Sequence, residues 1–304
     1  MQDPQPDFQP VAGIVEELAP GLRRILAPNP SPMTFRGTNT YLIGTTELAV
    51  IDPGPSSQQH HDAILAALHP TQRISHIFVT HAHLDHSPLA RQLATTCGAP
   101  VLGFGRAEDG RSPTMVRLAD SGCVGGGEGV DDAFEPDIRL KDGASVVGAG
   151  WRLTALHTPG HMANHLCFVW GDVLFSGDLV MGWASSLVSP PDGDLGGFMA
   201  SLRRLADREW QLFYPGHGAP VECPNDRVQG LLAHRLARES SILEALALGP
   251  ANAEALAKLI YTDTPKALLP AAARNVLAHL IDLMDKSMIE PVSDLSQTAV
   301  FRRI

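Results

Sequence analysis

A short stretch between Thr80 and Ser87 concentrates side chains that bind metal ions. Its candidate ligands are His81, His83, Asp85 and His86. The apolar run Ile74 to Val79 precedes them and predicts a buried strand. If the backbone stays extended past that strand, side-chain alternation places the first three ligands on one side. Such a density of nitrogen and oxygen ligands at the end of a strand indicates a metal site rather than a chance cluster of surface histidines.

The same stretch also predicts how its last ligand is positioned. Ser87 followed by Pro88 is typical of a helix N-cap with proline at the first helical position. A helix is therefore expected to begin at once, and its first turn would bring His86 back beside Asp85.

Three later stretches share this form, in which a strand ends in a sharp turn that contains glycine. They are Thr158 to His161, Ser176 to Asp178 and Tyr214 to Gly218. In each, glycine allows the backbone to turn tightly and approach closely. They add His161, Asp178 and His217 as candidate ligands. Together with the first stretch, this makes enough ligands for two metal ions.

In this order, the motifs resemble those of the metallo-β-lactamase superfamily, over roughly residues 10 to 222. Asp52 matches the aspartate that this family places beside its metal loop. Residues 29–41, Thr158 to His165 and the helical C-terminal region are similar to the β-lactamase-like protein 2 family. The resemblance implies a four-layer αββα sandwich of the α/β class. One departure is Ser87-Pro88-Leu89, where the superfamily usually has a small residue and two glycines. We therefore expect the approach to the metal site to be more crowded on that side.

The resemblance also implies a role for each ligand. The first metal would be held by His81, His83 and His161, the second by Asp85, His86 and His217, and Asp178 would bridge them. Asp85 would also orient the attacking hydroxide. Asp52 and Asn39 are expected to lie next to the ligands. Asn39 belongs to a polar trio that is typical of a turn, and the resemblance adds the alternative that it faces the cleft. His165 either is a core residue behind the ligands or, as the resemblance implies, faces the substrate with a catalytic role. We expect two zinc ions, although this ligand set also suits iron or manganese.

This arrangement predicts hydrolysis by a metal-bound hydroxide. Metal binding lowers the pKa of water from 15.7 to about 7. At 1.36 kcal/mol per pKa unit, that is roughly 12 kcal/mol of help in losing the proton. No side-chain base supplies as much, so we expect neither a serine nor a cysteine nucleophile.

Length and composition predict one large domain and one small one. The chain has 304 residues and 44% hydrophobic content, which suits a catalytic domain over 1–224 and a helical domain over 225–304.

No apolar run is expected to span a membrane, and the acidic, proline-rich start does not resemble a secretion signal, so we expect a cytoplasmic protein. The scattered Cys97, Cys123, Cys167 and Cys223 are expected to be reduced.

The charge distribution limits the partners. The formal net charge is −10, yet from residue 228 to the end eight cations balance eight anions. The larger domain therefore carries the excess negative charge. Sequence-independent nucleic-acid binding needs clustered cations, so we expect no binding to double-stranded DNA, although a local cationic patch stays open. Nothing in the sequence decides for or against a homodimer.

The remaining patterns predict elements around this centre. Strands are expected within 11–26, 41–51, 151–156, 166–175 and 212–214, and a short helix within 197–205. After Pro224, a helix capped by Asn225 and Asp226, two further helices and a terminal hairpin resemble a winged helix. The segment Arg106 to Pro136 is either a lid or a surface excursion. His60, His61 and His69 are expected to be exposed, without a ligand role.

Three functional hypotheses remain. The first is a metal-dependent hydrolase of phosphodiester bonds in single-stranded RNA, as the similarity to the β-lactamase-like protein 2 family implies. The second is a thioester hydrolase of glyoxalase II type, with a small-molecule substrate. The third is a non-enzymatic winged-helix binding protein with a vestigial metal domain, which the full ligand set disfavours. Two divalent metals, two aspartates and hydroxide leave the site near +1, which suits substrates that develop negative charge.

Overall fold

The computed structural model describes residues 3–127 and 129–304. Its larger sheet has the order β1-β2-β3-β4-β5-β6-β7. These strands are β1 (Val15–Ala19), β2 (Leu22–Leu26), β3 (Asn39–Ile43), β4 (Glu47–Ile51), β5 (Arg73–Phe78), β6 (Val101–Gly103) and β7 (Ile138–Arg139). The strands from β1 to β4 pair antiparallel, and those from β4 to β7 pair parallel. The sheet is therefore mixed, and its parallel half ends beside the candidate metal loop.

The second sheet has the order β12-β11-β10-β9-β8 and faces the first. Its strands are β8 (Ser145–Gly148), β9 (Trp151–His157), β10 (Leu166–Trp170), β11 (Val173–Gly177) and β12 (Leu212–Pro215). Aliphatic and aromatic residues fill the space between the sheets, with Phe78 of the first in edge contact with Phe168 of the second. The predicted hairpin through Gly171 and Asp172 is present.

Helices cover the outer faces of both sheets. Those of the catalytic domain are α1 (Gln58–Ala66), α2 (Leu89–Cys97), α3 (Pro113–Asp120) and α4 (Leu195–Ala206). Apolar residues of α1 and α2 pack on the first sheet, and those of α4 pack on the second together with the start of α5 (Pro224–Leu246). This arrangement confirms the predicted αββα sandwich.

The C-terminal region is a winged helix, as predicted. It contains α6 (Ala253–Ile260), α7 (Leu269–Asp285) after a short 3-10 turn at Lys266–Leu268, and the strands β14 (Ile289–Pro291) and β15 (Val300–Arg303). The predicted hairpin forms, and β13 (Ala251–Asn252), which was not predicted, adds to its other edge. Helix α5 belongs to both domains, because Val228 packs in the catalytic core and Leu246 in the C-terminal core.

Helix α7 is an exception to the expectation that no apolar run is long enough to span a membrane. By length and composition alone, α7 together with the 3-10 turn before it (Lys266–Asp285) could cross a bilayer, at a mean hydropathy of 1.2. In the structure it is the central helix of the C-terminal core, where Val276, Leu280 and Leu283 are fully buried. The run of apolar residues in this helix is therefore explained by packing against α5 and α6.

Two predicted helix caps are wrong. Helix α2 begins at Leu89, one residue later than expected, and Ser87 does not cap it. The Ser87 hydroxyl instead lies 2.7 Å from the Asp131 carboxylate and 3.1 Å from the His83 carbonyl, because the long segment after β6 runs beside this turn. Likewise, α5 begins at Pro224 without a side-chain cap, and Asn225 accepts a hydrogen bond from the Trp210 backbone.

The prediction that His60 and His61 are exposed is also wrong, whereas His69 is exposed. The His60 ring lies against Gly54, and its Nε2 is 2.8 Å from the Thr40 hydroxyl. His61 lies against Thr96 of α2 at 3.1 Å. Both are buried because α1 presents them to its neighbours rather than to solvent.

The segment Arg106 to Pro136 fastens the metal loop to the C-terminal domain. Within it, α3 buries Met115 in the C-terminal core. Further on, the Gly129 carbonyl accepts from Leu84 N at 3.0 Å, and Asp131 N donates to the Ala82 carbonyl at 2.9 Å. Glu128 lies outside the described residues. The described part of the segment forms a wall beside the metal loop, and whether it moves as a lid stays a prediction.

Candidate metal centre

The candidate ligands come from four strand ends that meet at one edge of the sandwich. The loop after β5 supplies the first group, and the turn between β9 and β10 supplies His161. Asp178 follows β11 directly, and His217 follows β12. Because β11 and β12 are parallel neighbours, their carboxyl ends lie together, which brings these last two residues to one place.

The side chains form two adjoining clusters. In the first, His83 Nδ1 lies 3.0 Å from both His81 Nε2 and His161 Nε2. In the second, His217 Nε2 lies 3.2 Å from His86 Nε2 and 3.0 Å from Asp85 Oδ2. The members of each cluster present ligand atoms within 4.8 Å of one another. The seven predicted ligands are therefore brought together as the sequence predicted, although their binding of metal stays a prediction.

Asp178 lies between the two clusters. Its Oδ2 is 3.3 Å from His217 Nε2 in the second cluster and 3.6 Å from His161 Nε2 in the first. This position is compatible with the predicted bridging role.

Backbone carbonyls orient two of the imidazole rings. His161 Nδ1 lies 2.7 Å from the Leu187 carbonyl, and His217 Nδ1 lies 3.1 Å from the Gly37 carbonyl. Since a carbonyl oxygen only accepts hydrogen bonds, each Nδ1 must carry the proton. In the neutral ring, Nε2 is then left with a free lone pair that points into the cluster. Such outer hydrogen bonds are typical of metal-binding histidines.

The buried carboxylates also fit a cation. Asp85 and Asp178 are buried, and the Oδ1 atom of each has no hydrogen-bond partner among the described residues. Burying a carboxylate oxygen without a hydrogen bond is costly, and a cation in the cluster would remove that cost. The donor atoms are nitrogen and oxygen without sulfur, which suits zinc, iron or manganese.

Without a cation, the two clusters differ in charge. Burial lowers the pKa of His217, but the Asp178 and Asp85 carboxylates outweigh it and raise that pKa to about 10. In the first cluster, burial and repulsion from His161 lower the pKa of His83 to about 3. Burial also lowers the pKa of His86, but the Asp85 and Asp178 carboxylates outweigh it and hold that pKa well above its usual value. The cluster of three histidines is therefore neutral and ready to bind a metal, whereas the second must first lose the protons of its histidines.

Asp52 occupies the position predicted for it. Its carboxylate accepts from Thr80 N at 2.7 Å and Thr80 Oγ1 at 2.8 Å, and it lies 2.9 Å from His86 Nδ1. Its backbone has a φ of 50°, in the left-handed region that non-glycine residues seldom adopt. The carboxylate thus contacts a candidate ligand from outside the cluster, as an orienting residue would.

Of the two alternatives for Asn39, the one in which it faces the cleft is wrong. Its side chain is fully buried, and its amide donates to the Pro215 and Gly218 carbonyls at 3.0 and 2.9 Å. Its backbone N–H donates to Gly216. These bonds come from the pairing of the start of β3 with the turn after β12, so Asn39 holds the loop that carries His217.

The alternative in which His165 faces the substrate is also wrong. The ring is fully buried, with Nδ1 2.9 Å from the Thr158 hydroxyl, and Nε2 accepts from Asp178 N at 3.2 Å. Gly177 makes this contact possible, because a Cβ there would lie 2.6 Å from His165 Nε2. His165 therefore supports the backbone of a candidate ligand from behind.

A cavity of about 570 Å³ opens above the clusters, and its walls were not predicted. Ligand residues from both clusters form its floor, whereas the walls are mostly apolar. The wall residues include Pro32, Met33, Phe35, Met181, Trp183, Leu187, Leu268 and Ala271. Phe35 and Trp183 stack at 5.0 Å between ring centroids. The one sequence signal for these walls was large apolar residues within loops rich in glycine, proline and serine.

A buried arginine of the C-terminal domain also reaches this site, and no sequence pattern singled it out. Arg235 of α5 donates to the Ser186 carbonyl at 2.6 Å and to Asn275 Oδ1 at 3.0 Å. Asn275 in turn accepts from Val188 N at 3.1 Å. The Ser186 hydroxyl donates to the Asp178 carbonyl. The C-terminal domain thereby holds the loop that carries Asp178.

Comparisons with known proteins agree with this geometry. Residues 33–217 match the metallo-beta-lactamase superfamily, and residues 253–290 match the beta-lactamase associated winged helix domain. The chain is 32% identical to the beta-lactamase-like protein 2 homolog of Drosophila melanogaster, over 88% of this chain and 89% of that one. It is 33% identical to an atrochrysone carboxyl ACP thioesterase of Paecilomyces divaricatus, over 76% of this chain and 66% of that one.

Among solved structures, a metallo-beta-lactamase family protein of Thermus thermophilus superposes with a TM-score of 0.75 at 27% identity. The match covers 95% of this chain and 100% of the other, so both domains are shared. The family match spans more than half of the chain and includes each predicted metal ligand. The chain therefore belongs to the metallo-β-lactamase superfamily and is a metal-dependent hydrolase with a C-terminal winged helix.

Proposed function

We propose that this protein hydrolyses thioesters that carry a bulky apolar acyl group, and that it does so with two zinc ions. The observation that carries the proposal is the cavity, whose polar floor of candidate ligands lies beneath mostly apolar walls. Its walls suit an acyl chain or ring system, and its floor suits the carbonyl under attack.

The free energy of burying apolar surface favours an apolar substrate over RNA in this cavity. Burying apolar surface is worth roughly 25 cal/mol per Å², so about 150 Å² of acyl group is worth about 4 kcal/mol. No lysine or arginine is among the described residues that line the cavity, whereas Asp3 is. A phosphodiester chain would lose hydration here without gaining cationic partners. The structure therefore supports the thioester hypothesis better than the RNA hypothesis that the sequence favoured.

The relatives support the same choice. Several that are about 30% identical to this chain are named as thioesterases that act on a carrier-bound acyl group. The winged helix also contributes Leu268 and Ala271 to the cavity wall, which is compatible with a role in shaping the substrate site.

The chain's own groups serve the reaction in distinct ways. Bound zinc ions supply Lewis acidity and a water of lowered pKa. Asp85 lines the cavity, and its carboxylate would orient the attacking water and accept its proton. The apolar walls exclude other water. The carbon–oxygen bond forms, the carbon–sulfur bond breaks, and the thiolate leaves and takes up a proton.

A parallel assay tests this proposal. Purified protein is given an aromatic acyl thioester of N-acetylcysteamine, S-lactoylglutathione, bis-p-nitrophenyl phosphate and a short single-stranded RNA. We expect the aromatic thioester to have the highest kcat/KM, and metal analysis to find close to two zinc ions per chain. Asp178→Ala should lose metal and turnover, whereas Asp172→Ala, which removes an exposed surface carboxylate, should not.

Two outcomes would count against the proposal. RNA cleavage that requires Asp85, without turnover of any thioester, would restore the phosphodiester hypothesis. A fully active Asp178→Ala variant would rule out the two-metal centre. RNA cleavage that persists in Asp85→Ala would instead come from a contaminating nuclease.

A further inference from the structure

A second cavity, of about 420 Å³, lies in the C-terminal domain between α6, α7 and the segment before β15. Its polar lining differs from that of the first cavity. It includes Asn252, Lys258, Lys266, Arg274, Gln297 and Thr298. Glu254 is the one acidic residue among the described lining residues, so three cations face one anion. This local excess of positive charge lies within a protein of net charge −10.

The two lysines of this cavity are available to a ligand. Most arginines on the surface of the protein pair with carboxylates, as Arg91 does with Asp137. By contrast, neither Lys258 nor Lys266 forms an ion pair within the described parts of the chain. Both are exposed, and the bend between α6 and α7 brings them to one cavity. A lysine is a flexible point charge that suits phosphate oxygens.

The cationic cavity adjoins the active-site cavity. The first turns of α7 separate them, with Leu268 and Ala271 lining one, and Leu269 and Ala273 lining the other. Arg274 of the cationic cavity donates to the Val124 carbonyl at 2.7 Å. Three residues further along that loop, Gly127 lines the active-site cavity. A ligand that occupies both cavities therefore needs to cross only the edge of one helix.

We propose that this second cavity binds the phosphate-bearing end of the substrate's thiol carrier. The inference rests on the proposed thioesterase function and names the other half of its substrate. An acyl group in the apolar cavity requires the thiol portion to leave across the mouth of the site. A pantetheine arm that ends in phosphate would reach from there to Lys258 and Lys266. Coenzyme A and the prosthetic group of a carrier protein share this chemistry.

Charge-neutralising variants test the assignment. The double variant Lys258→Gln/Lys266→Gln is compared with Lys141→Gln/Arg152→Gln, which removes the same charge from exposed positions outside the cavity. Each holoenzyme is assayed with one acyl group on coenzyme A, on a carrier protein and on unphosphorylated pantetheine. We expect the first double variant to raise KM for acyl-coenzyme A roughly 2- to 30-fold, the range that losing two exposed ion pairs predicts.

Three further results support the proposal. The KM for acyl-pantetheine should not change, because that substrate carries no phosphate. The KM difference should shrink at high ionic strength. Coenzyme A alone should bind the wild-type holoenzyme in calorimetry and bind the variant more weakly by a similar factor. A matching rise in KM for the acyl-carrier protein, without one for acyl-coenzyme A, would identify the carrier protein as the source of the phosphate.

The opposing results separate this inference from the proposed function. If thioesters are hydrolysed but both double variants keep the wild-type KM for every phosphorylated substrate, the cavity is not the carrier site and the thioesterase function stands. An equal rise in KM for acyl-pantetheine would indicate a structural effect and would also overturn the assignment. If the wild type hydrolyses no thioester, the proposed function itself fails. Lost binding of single-stranded RNA, with coenzyme A binding unchanged, would assign the cavity to nucleic acid.

Discussion

At the scale of single residues, the centre depends on groups that fix which nitrogen of each histidine faces inward. The Leu187 and Gly37 carbonyls do this for His161 and His217, and the Asp52 carboxylate does it for His86. None of these three groups belongs to either ligand cluster. Metal affinity is therefore set by bonds one contact away from the ligands as well as by the ligands themselves.

Substitution of Asp52 by asparagine should expose this dependence. The asparagine amide has the size of the carboxylate, but one of its two ends is an N–H donor. That end cannot accept the hydrogen bond that Thr80 or His86 now donates to Asp52. We expect metal affinity or kcat to fall roughly 10- to 100-fold while the fold is retained. Metal titration and circular dichroism measure the two effects. Asp62→Asn, an exposed carboxylate next to His61, serves as the control. Unchanged metal affinity in Asp52→Asn would show that the orienting bond does not matter.

Sequence reasoning identified side chains that the fold brings together as candidate ligands, but it could not decide the orientation of neighbours such as Asn39 and His165, for a physical reason. A metal site requires several ligand types in dense local motifs, so His81 to His86 could be recognised from spacing. A single buried polar residue such as Asn39 or His165 carries no such pattern. Which way it points depends on tertiary neighbours that can lie more than a hundred residues away, as the bonds from Asn39 to Pro215 and Gly218 show.

At the scale of elements, the loop after β11 is held by the C-terminal helices. Arg235 of α5 and Asn275 of α7 bond backbone groups of this loop, directly or through one another. The loop begins at Asp178 and also supplies the Leu187 carbonyl that orients His161. The winged helix thereby positions parts of both metal clusters, although it supplies none of the described ligands.

Arg235→Met should weaken both the domain contact and the metal centre. Methionine fills part of the volume but leaves the Ser186 carbonyl and Asn275 Oδ1 without this donor. We expect about 1–3 kcal/mol lower unfolding free energy, the usual penalty for stranding buried acceptors, together with weaker metal binding. Denaturant unfolding and metal titration measure these separately. Arg238→Met, one turn along α5, packs on Tyr261 instead and is the control. Stability loss with unchanged metal affinity would contradict the coupling.

Elements were predicted well where the pattern was periodic and less well at their ends. Strands and helices of both domains appeared where alternation or helical spacing indicated them. Helix starts were wrong at Ser87 and Asn225, because both side chains bond tertiary partners instead of their own helix. Strand β13 has two residues, too few to carry a pattern. The cavity walls were missed because they come from separate segments.

At the scale of the whole molecule, metal binding must be coupled to proton release. The Asp178 and Asp85 carboxylates outweigh burial and raise the pKa of His217 to about 10 in the metal-free protein, so that ring is protonated near neutral pH. The ion pairs of His217 stabilise the metal-free fold fully below about pH 6.5, which is the pKa of this ring in the unfolded chain. This stabilisation is lost as the pH rises through about 10, the pKa of the ring in the folded protein. A metal needs the neutral ring, so its affinity should fall as pH falls.

Calorimetry of zinc binding at about pH 7.5 tests this coupling. Titrations in two buffers with different ionisation enthalpies should give different heats, and their difference should correspond to about one proton or more released per chain. His279→Gln is a suitable control variant, because His279 is buried in the C-terminal domain away from the clusters. Identical heats in the two buffers would mean that the second cluster is not protonated before it binds metal.

The floor and the walls of the active-site cavity are formed by different residues, and this separation makes the protein a suitable starting point for engineering. Met33 and Trp183 line the cavity, yet neither belongs to a metal cluster. A library that varies such wall positions should change which substrates are accepted while most members retain metal. Selectivity could then be redesigned without rebuilding the catalytic apparatus.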